Sequence, residues 1–120
     1  MSVKLNHTIV HSRDKREAAA FLADVLGLPA PVAFGPFLGV QTANEVTLDF
    51  MDADEVTLQH YAFLVSEAEF DEIFSRILAR KLPYWADPGR QRLNVINTLD
   101  GGRRIYFMDP SGHLLEIFTR

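Results

Sequence analysis

Two histidines and one carboxylate are the residues of this chain whose types and settings could do chemistry: His7 in LNHTIV, His60 in LQHYAF and Glu116 in HLLEIF. Glu116 lies among large apolar residues, where an unpaired ionised carboxylate is expensive to bury. It needs a cation, a hydrogen-bond donor or a metal as its partner. His7 and His60 open matching segments, so a pseudo-twofold duplication would bring both imidazoles near one axis. Two imidazoles and a carboxylate make a facial triad with coordination positions left open, a set that suits Fe(II), Mn(II), Ni(II), Co(II) or Zn(II). On the residues alone the plainer alternatives stay open. Glu116 could sit on an exposed edge or in a structural ion pair, and each histidine could be a satisfied core or surface residue. Widely spaced His and Glu carry no local metal signature.

The elements that must position these residues follow a repeated plan, with a period of about 53 residues, right for a duplicated supersecondary unit. In the second half Phe70, Ile73, Phe74, Ile77 and Leu78 form one helical stripe, Ser66 with Glu69 reads as a capping box and Val65 with Phe70 as its staple. Leu82-Pro83 is the expected stop. In the first half Ala18, Phe21, Leu22, Val25 and Leu26 repeat the stripe, with Asp14 and Glu17 at its start and Gly27 at its end. Strands are expected at Leu5 to His11 and Gln59 to Val65, placing His7 and His60 on two central strands. Others are expected at Leu38 to Thr42, Val46 to Met51, Arg103 to Met108 and Leu114 to Phe118. Ala43-Asn44 suits a hairpin, and Asp109-Pro110-Ser111-Gly112 is a strong turn. Trp85 to Gly102 reads mostly as a long loop over a site, in which Asn94 to Leu99 could be a strand. Each half is therefore β-α-β-β-β, with its helix on one sheet face.

Strand alternation assigns the other face. Leu48 and Phe50 suit the helix side, which turns Thr47, Asp49 and Met51 away from it. By the same parity Arg104, Tyr106 and Met108 oppose Ile105 and Phe107, and Leu114, Glu116 and Phe118 oppose Leu115 and Ile117. His11 shares the parity of His7, and could be an acid/base or substrate-binding group or a strand-end residue in water. Tyr106 could hydrogen-bond substrate or be a buried, satisfied aromatic. Trp85, Arg90 and Arg92 could hold an aromatic or anionic substrate, though solvated loop arginines are common. His113, after a turn glycine, reads as a structural hydrogen-bonder. Arg103 and Arg104 receive no separate function.

Composition bounds the possibilities. The chain of 120 residues suits one domain, with modules at about 1–53 and 54–120. Without cysteine it has no disulfides, thiolate sites or cysteine nucleophile. A net charge of −4 without a basic stripe argues against nucleic acid. No apolar run approaches a membrane span, and MSVKLNH lacks the apolar region of a signal peptide, so a cytoplasmic protein is expected.

LNHTIVHSRDKREAAAFLADVLGLP, LQHYAFLVSEAEFDEIFSRIL and GGRRIYFMDPSGHLLEIFTR together resemble the vicinal oxygen chelate superfamily of glyoxalases, bleomycin-resistance proteins and extradiol dioxygenases. The resemblance spans nearly the whole chain. It implies an α+β fold in which two βαβββ modules curl a mixed sheet into a cup with helices outside, often completed across a homodimer. It maps His7, His60 and Glu116 onto family metal-ligand positions. Asp49, in VTLDF, falls where four-ligand members such as glyoxalase I carry Glu. Being one methylene shorter, it could bind through water, bind weakly or only line the cup. The three-ligand pattern is closer to the fosfomycin-resistance thiol transferases. The function implied is a metal-dependent enzyme acting on a small oxygen-chelating substrate, by lyase, isomerase, thiol-transfer or dioxygenase chemistry. Asp49 or Tyr106 would then assist proton movement. The alternative is a dimeric protein that sequesters an aromatic drug or metabolite, with Trp85 in its groove and no metal requirement.

Overall fold

The computed structural model describes residues 2–120 and forms two compact units, one ending at Thr57 and the other beginning at Leu58. Among the described residues there are two helices and seven strands in two mixed sheets, the α+β arrangement of paired β-α-β modules. No helix among them is long and apolar enough to cross a membrane.

The first unit runs β1 (His7–Ser12), α1 (Lys15–Leu26), β2 (Val32–Phe34), β3 (Phe37–Gln41) and β4 (Thr47–Asp52). Its sheet has the order β1-β4-β3-β2, with β1 parallel to β4 and the remaining pairs antiparallel. The Asp14 side chain caps α1 by accepting from the amides of Arg16 and Glu17, and Gly27 ends it in the left-handed conformation at φ 70°. The buried stripe of α1 packs on β1, β3 and β4, whose own buried residues include Val10, Val40, Leu48 and Phe50. This layer is the unit's core. Strand β2 was not among the expected strands, being three exposed residues between a Pro-rich approach and Gly35-Pro36.

The second unit runs β5 (His60–Leu64), α2 (Glu67–Ala79), β6 (Arg104–Met108) and β7 (Leu114–Phe118), in sheet order β5-β7-β6. The capping box at Ser66 and Glu69 forms with both reciprocal bonds. Phe70, Ile73 and Ile77 of α2 are buried, as are Ile105, Phe107, Leu115 and Ile117 of the sheet. Arg103 ties the helix down: its guanidinium lies 4.2 Å from the Phe70 ring centroid and pairs with Glu67 and Asp71 at 2.8 Å each.

Three expectations need correction, and one open alternative is resolved. β1 and β5 lie at the edges of their sheets, not at the centre, because each pairs in parallel with its module's last strand while the remaining strands extend on that strand's other side. The second helix ends at Ala79, before Leu82-Pro83, because Lys81 takes the left-handed conformation at φ 56°. Leu78, expected on its buried stripe, is 51% exposed. Asn94 to Leu99 does not form a strand: Asn94 is left-handed at φ 58°, and only Asn97 bridges to β6. The second unit keeps the expected β-α-β-β-β plan, its first strand after α2 reduced to isolated bridges from Trp85 and Asn97 along the free edge of β6.

Candidate active site

The register of the second sheet gathers a polar cluster on the face away from α2. Tyr106 on β6 pairs with Glu116 on β7, and Glu116 pairs with Ala62 on β5. Trp85 bridges to Tyr106 from the other side, so Trp85, Tyr106, Glu116 and Ala62 form one row across the sheet. His60 is one row away, paired with Leu114, and Arg104 is one row away in the other direction, paired with Phe118.

Both reach Glu116. The His60 Nε2 lies 3.0 Å from Glu116 Oε1, and Arg104 Nη1 forms an ion pair with Glu116 Oε2 at 3.1 Å. Glu116 is only 5% exposed, so these contacts meet the partner requirement set by its apolar surroundings. The ring of Tyr106 meets His60 edge-on, with centroids 5.8 Å apart. Burial alone would lower the basicity of the Arg104 guanidinium. The hydrogen bond with Tyr106 and the charges of Glu116, Tyr106 and Asp100 outweigh it and hold the guanidinium above its ordinary value.

In the first unit, His7, Ile9 and His11 on β1 pair with Thr47, Asp49 and Met51 on β4, all on the face away from α1. The parity expected for His7, His11 and Asp49 is therefore borne out. Asn6 Oδ1 accepts from His7 Nδ1 at 2.8 Å, which leaves the Nε2 lone pair as the ring's ligating position. Asp49 faces Gly39 across the β3–β4 pair, and a Cβ built at Gly39 would come within 3.1 Å of Asp49 Oδ1 and 3.0 Å of Thr47 Cγ2. The carboxylate thus lies close over Gly39, where any side chain would press on it.

The donor chemistry suits a divalent transition metal. An imidazole nitrogen and a carboxylate oxygen converge in the second unit, and a second imidazole with its tautomer fixed stands at the matching strand of the first. Among the described residues no group of three or more His, Cys, Asp or Glu side chains stands assembled around one point. His60 and Glu116 are brought together; His7 and Asp49 belong to the other unit.

The remaining expected residues divide. Trp85 is half-buried beside Tyr106. Arg92 is exposed and is held through its backbone amide, which donates to Asp87 at 2.8 Å. Arg90 Nη1 approaches Met108 Sδ at 3.4 Å. His11 is exposed near the end of β1. His113 is structural, as expected: it is 1% exposed, and its Nδ1 accepts from the Gln59 amide at 3.0 Å. Arg104 was missed. Strand parity placed it on this face, but its contact with Glu116 depends on the β6–β7 register, which the sequence does not declare. A groove of about 390 Å³ opens elsewhere, beside Leu78, Lys81, Tyr84 and Leu93 at the end of α2. Its residues include none of the metal-donor candidates, and we do not place the chemistry there.

Comparison with known proteins gives a consistent picture. The family model for the Glyoxalase/Bleomycin resistance protein/Dioxygenase superfamily matches residues 4–117. The structure of oxidase ChaP-H1 is 60% identical, with a TM-score of 0.97, covering 99% of this chain and 97% of that one. That of oxidase ChaP-H2 is 55% identical, with a TM-score of 0.97, covering 100% of this chain and 95% of its own. Metallothiol transferase FosB of Lysinibacillus sphaericus (strain C3-41) is 31% identical over 121 residues, 96% of this chain and 81% of that protein.

Proposed function

Since the chain belongs to the Glyoxalase/Bleomycin resistance protein/Dioxygenase superfamily, we propose that it is a metal-dependent enzyme of that family, of the oxidase type, acting on a small substrate that offers two neighbouring oxygens. The observation that carries this reading is the buried Glu116, with Oε1 turned to His60 Nε2 at 3.0 Å. Those two atoms lie within hydrogen-bonding distance of each other, and they are the donors that would hold a divalent ion. His60 and Glu116 are the proposed ligands in the second module and His7 the third, with residues 1–120 working as one domain. The ion, one of Fe, Mn, Ni, Co or Zn, would supply Lewis-acid or redox chemistry to oxygens bound at its open positions.

The chain's own residues supply the rest. Tyr106, edge-on to the His60 ring, would exchange a proton with a bound oxygen. Asp49 is a second proton-handling group, since its carboxylate is shorter than the Glu that four-ligand members use at this place. The half-buried face of Trp85, one row position beyond Tyr106, would stack on an aromatic substrate, and Arg92 and His11 would bind its polar groups. The 60% identity to an oxidase favours oxidation over thiol transfer or lyase chemistry. A cytoplasmic homodimer completes the reading, dimers being typical of the family.

The test is activity of the metal-stripped and reconstituted protein. Oxygen uptake with catechol, restored by one metal and abolished by chelator, is the expected result. Turnover of cysteine with fosfomycin instead would move the protein to the thiol transferases. Tight binding of an aromatic ligand, indifferent to chelator and without turnover, would replace the enzyme by a sequestering protein.

A further inference from the structure

We propose that Arg104 is a positioning residue that makes Glu116 a one-oxygen donor, occupying Oε2 so that only Oε1 is offered to a metal; this rests on the metal reading above. The carboxylate is divided between two partners on opposite sides, His60 at Oε1 and Arg104 at Oε2. A free carboxylate beside a divalent ion can bind through either or both oxygens, and each added oxygen closes a position that substrate would use.

Arg104 is built to stay where it is. Its Nη2 donates to Asp100 Oδ2 and to the main-chain oxygen of Arg120, both at 3.2 Å. Its guanidinium lies 4.9 Å from the Phe118 ring centroid. With its fork shared among these partners, the side chain holds a carboxylate oxygen and leaves little donor capacity for substrate. Its neighbour Arg103 serves the opposite sheet face, clamping α2 through Glu67 and Asp71. One arginine of the pair secures the helix and the other secures the ligand. Such outer partners of metal ligands fix orientation and so tune both affinity and coordination. A lysine could replace the charge but not the planar fork that reaches Glu116 and Asp100 together.

The experiment is a Co(II) titration of the full chain, read by visible d–d absorption, for the parent and for Arg104→Met, Arg104→Gln and Arg104→Lys, with thermal melts to confirm folding. Co(II) affinity is expected to fall about 10- to 100-fold in Arg104→Met and Arg104→Gln, the usual cost of losing such a partner. Their bands should also shift and change intensity as the freed oxygen joins the ion. Arg104→Lys should keep the parent's band positions with a smaller loss of affinity. Arg104→Gln, which can still bond Asp100, decides the matter if Arg104→Met does not fold. Parent-like bands and affinity in a folded neutral variant would overturn the positioning role and leave the metal reading standing. Absence of Co(II) bands in the parent would overturn the metal reading, and the positioning role with it.

Discussion

A single carboxylate placed among Leu114, Leu115, Ile117 and Phe118 sets the chemical problem at the scale of the residue. The need for a partner was legible in the sequence, because an ionised group buried alone is so costly. The identity of one partner was not. Arg104 lies twelve positions away in an ordinary Arg-Arg pair, and only the pairing of Tyr106 with Glu116 puts its guanidinium on Oε2. Asp49 raises a second question of fit, since its carboxylate leans over Gly39 on the neighbouring strand. Replacing Gly39 by Val should overpack that spot against Thr47 and Asp49 and cost about 1–3 kcal/mol of stability, measured by urea unfolding. A neutral Gly39→Val variant would mean that Asp49 does not use the space above the glycine.

Secondary-structure elements carry these side chains to their places, and their ends were the most readable part of the chain. Asp14, Gly27, Ser66 and Glu69 cap as their types dictate, because a cap is a local contest for orphaned amides and carbonyls. Ser66→Ala should therefore cost about 1 kcal/mol in thermal or urea unfolding. The Glu69 carboxyl is held below its ordinary value, first by the Ser66 amide and then by the Ser66 hydroxyl. Its stabilising effect is present above the unfolded carboxylate range and is lost as pH falls through the lowered folded value. The difference in melting temperature between the parent and Glu69→Gln should accordingly shrink on acidification; a constant difference would deny the cap its charge. Less legible were the features that depend on distant partners. Lys81 ends α2 early in a conformation usually left to glycine, and the edge placement of β1 and β5 follows from parallel pairing that no local pattern announces. Trp85 is a further case: in a stretch that reads as loop, it is fixed by two backbone bonds to Tyr106. It is the sole tryptophan, and it sits in the row of Glu116 two strand spacings away, about 10 Å. Co(II) should quench its fluorescence in the parent but not in Glu116→Gln. Equal quenching in both would place the metal elsewhere.

For the whole molecule, the duplicated plan of LNHTIV and LQHYAF and the closing GGRRIYFMDPSGHLLEIFTR made the family legible in the sequence, and the family model matches nearly the full chain. The plan is expressed unevenly. The first module has its full set of strands, whereas the second substitutes bridges from Trp85 and Asn97 for one of them. That substitution leaves the aromatic and arginine residues of a long segment beside β6, on the sheet that bears Glu116. The family hosts several chemistries, so fold cannot choose among them; the oxidase type is the proposal made above, and the 60% identity to oxidase ChaP-H1 supports it. The proposed chemistry depends on His60 and Glu116 holding a metal. The most direct measurement is the metal content of gently purified, untagged protein beside His60→Ala and Glu116→Ala variants of confirmed fold. Near-stoichiometric transition metal in the parent, lost in both variants, is the expected result. A parent that takes up no Fe(II), Mn(II), Ni(II), Co(II) or Zn(II) even on reconstitution would contradict it.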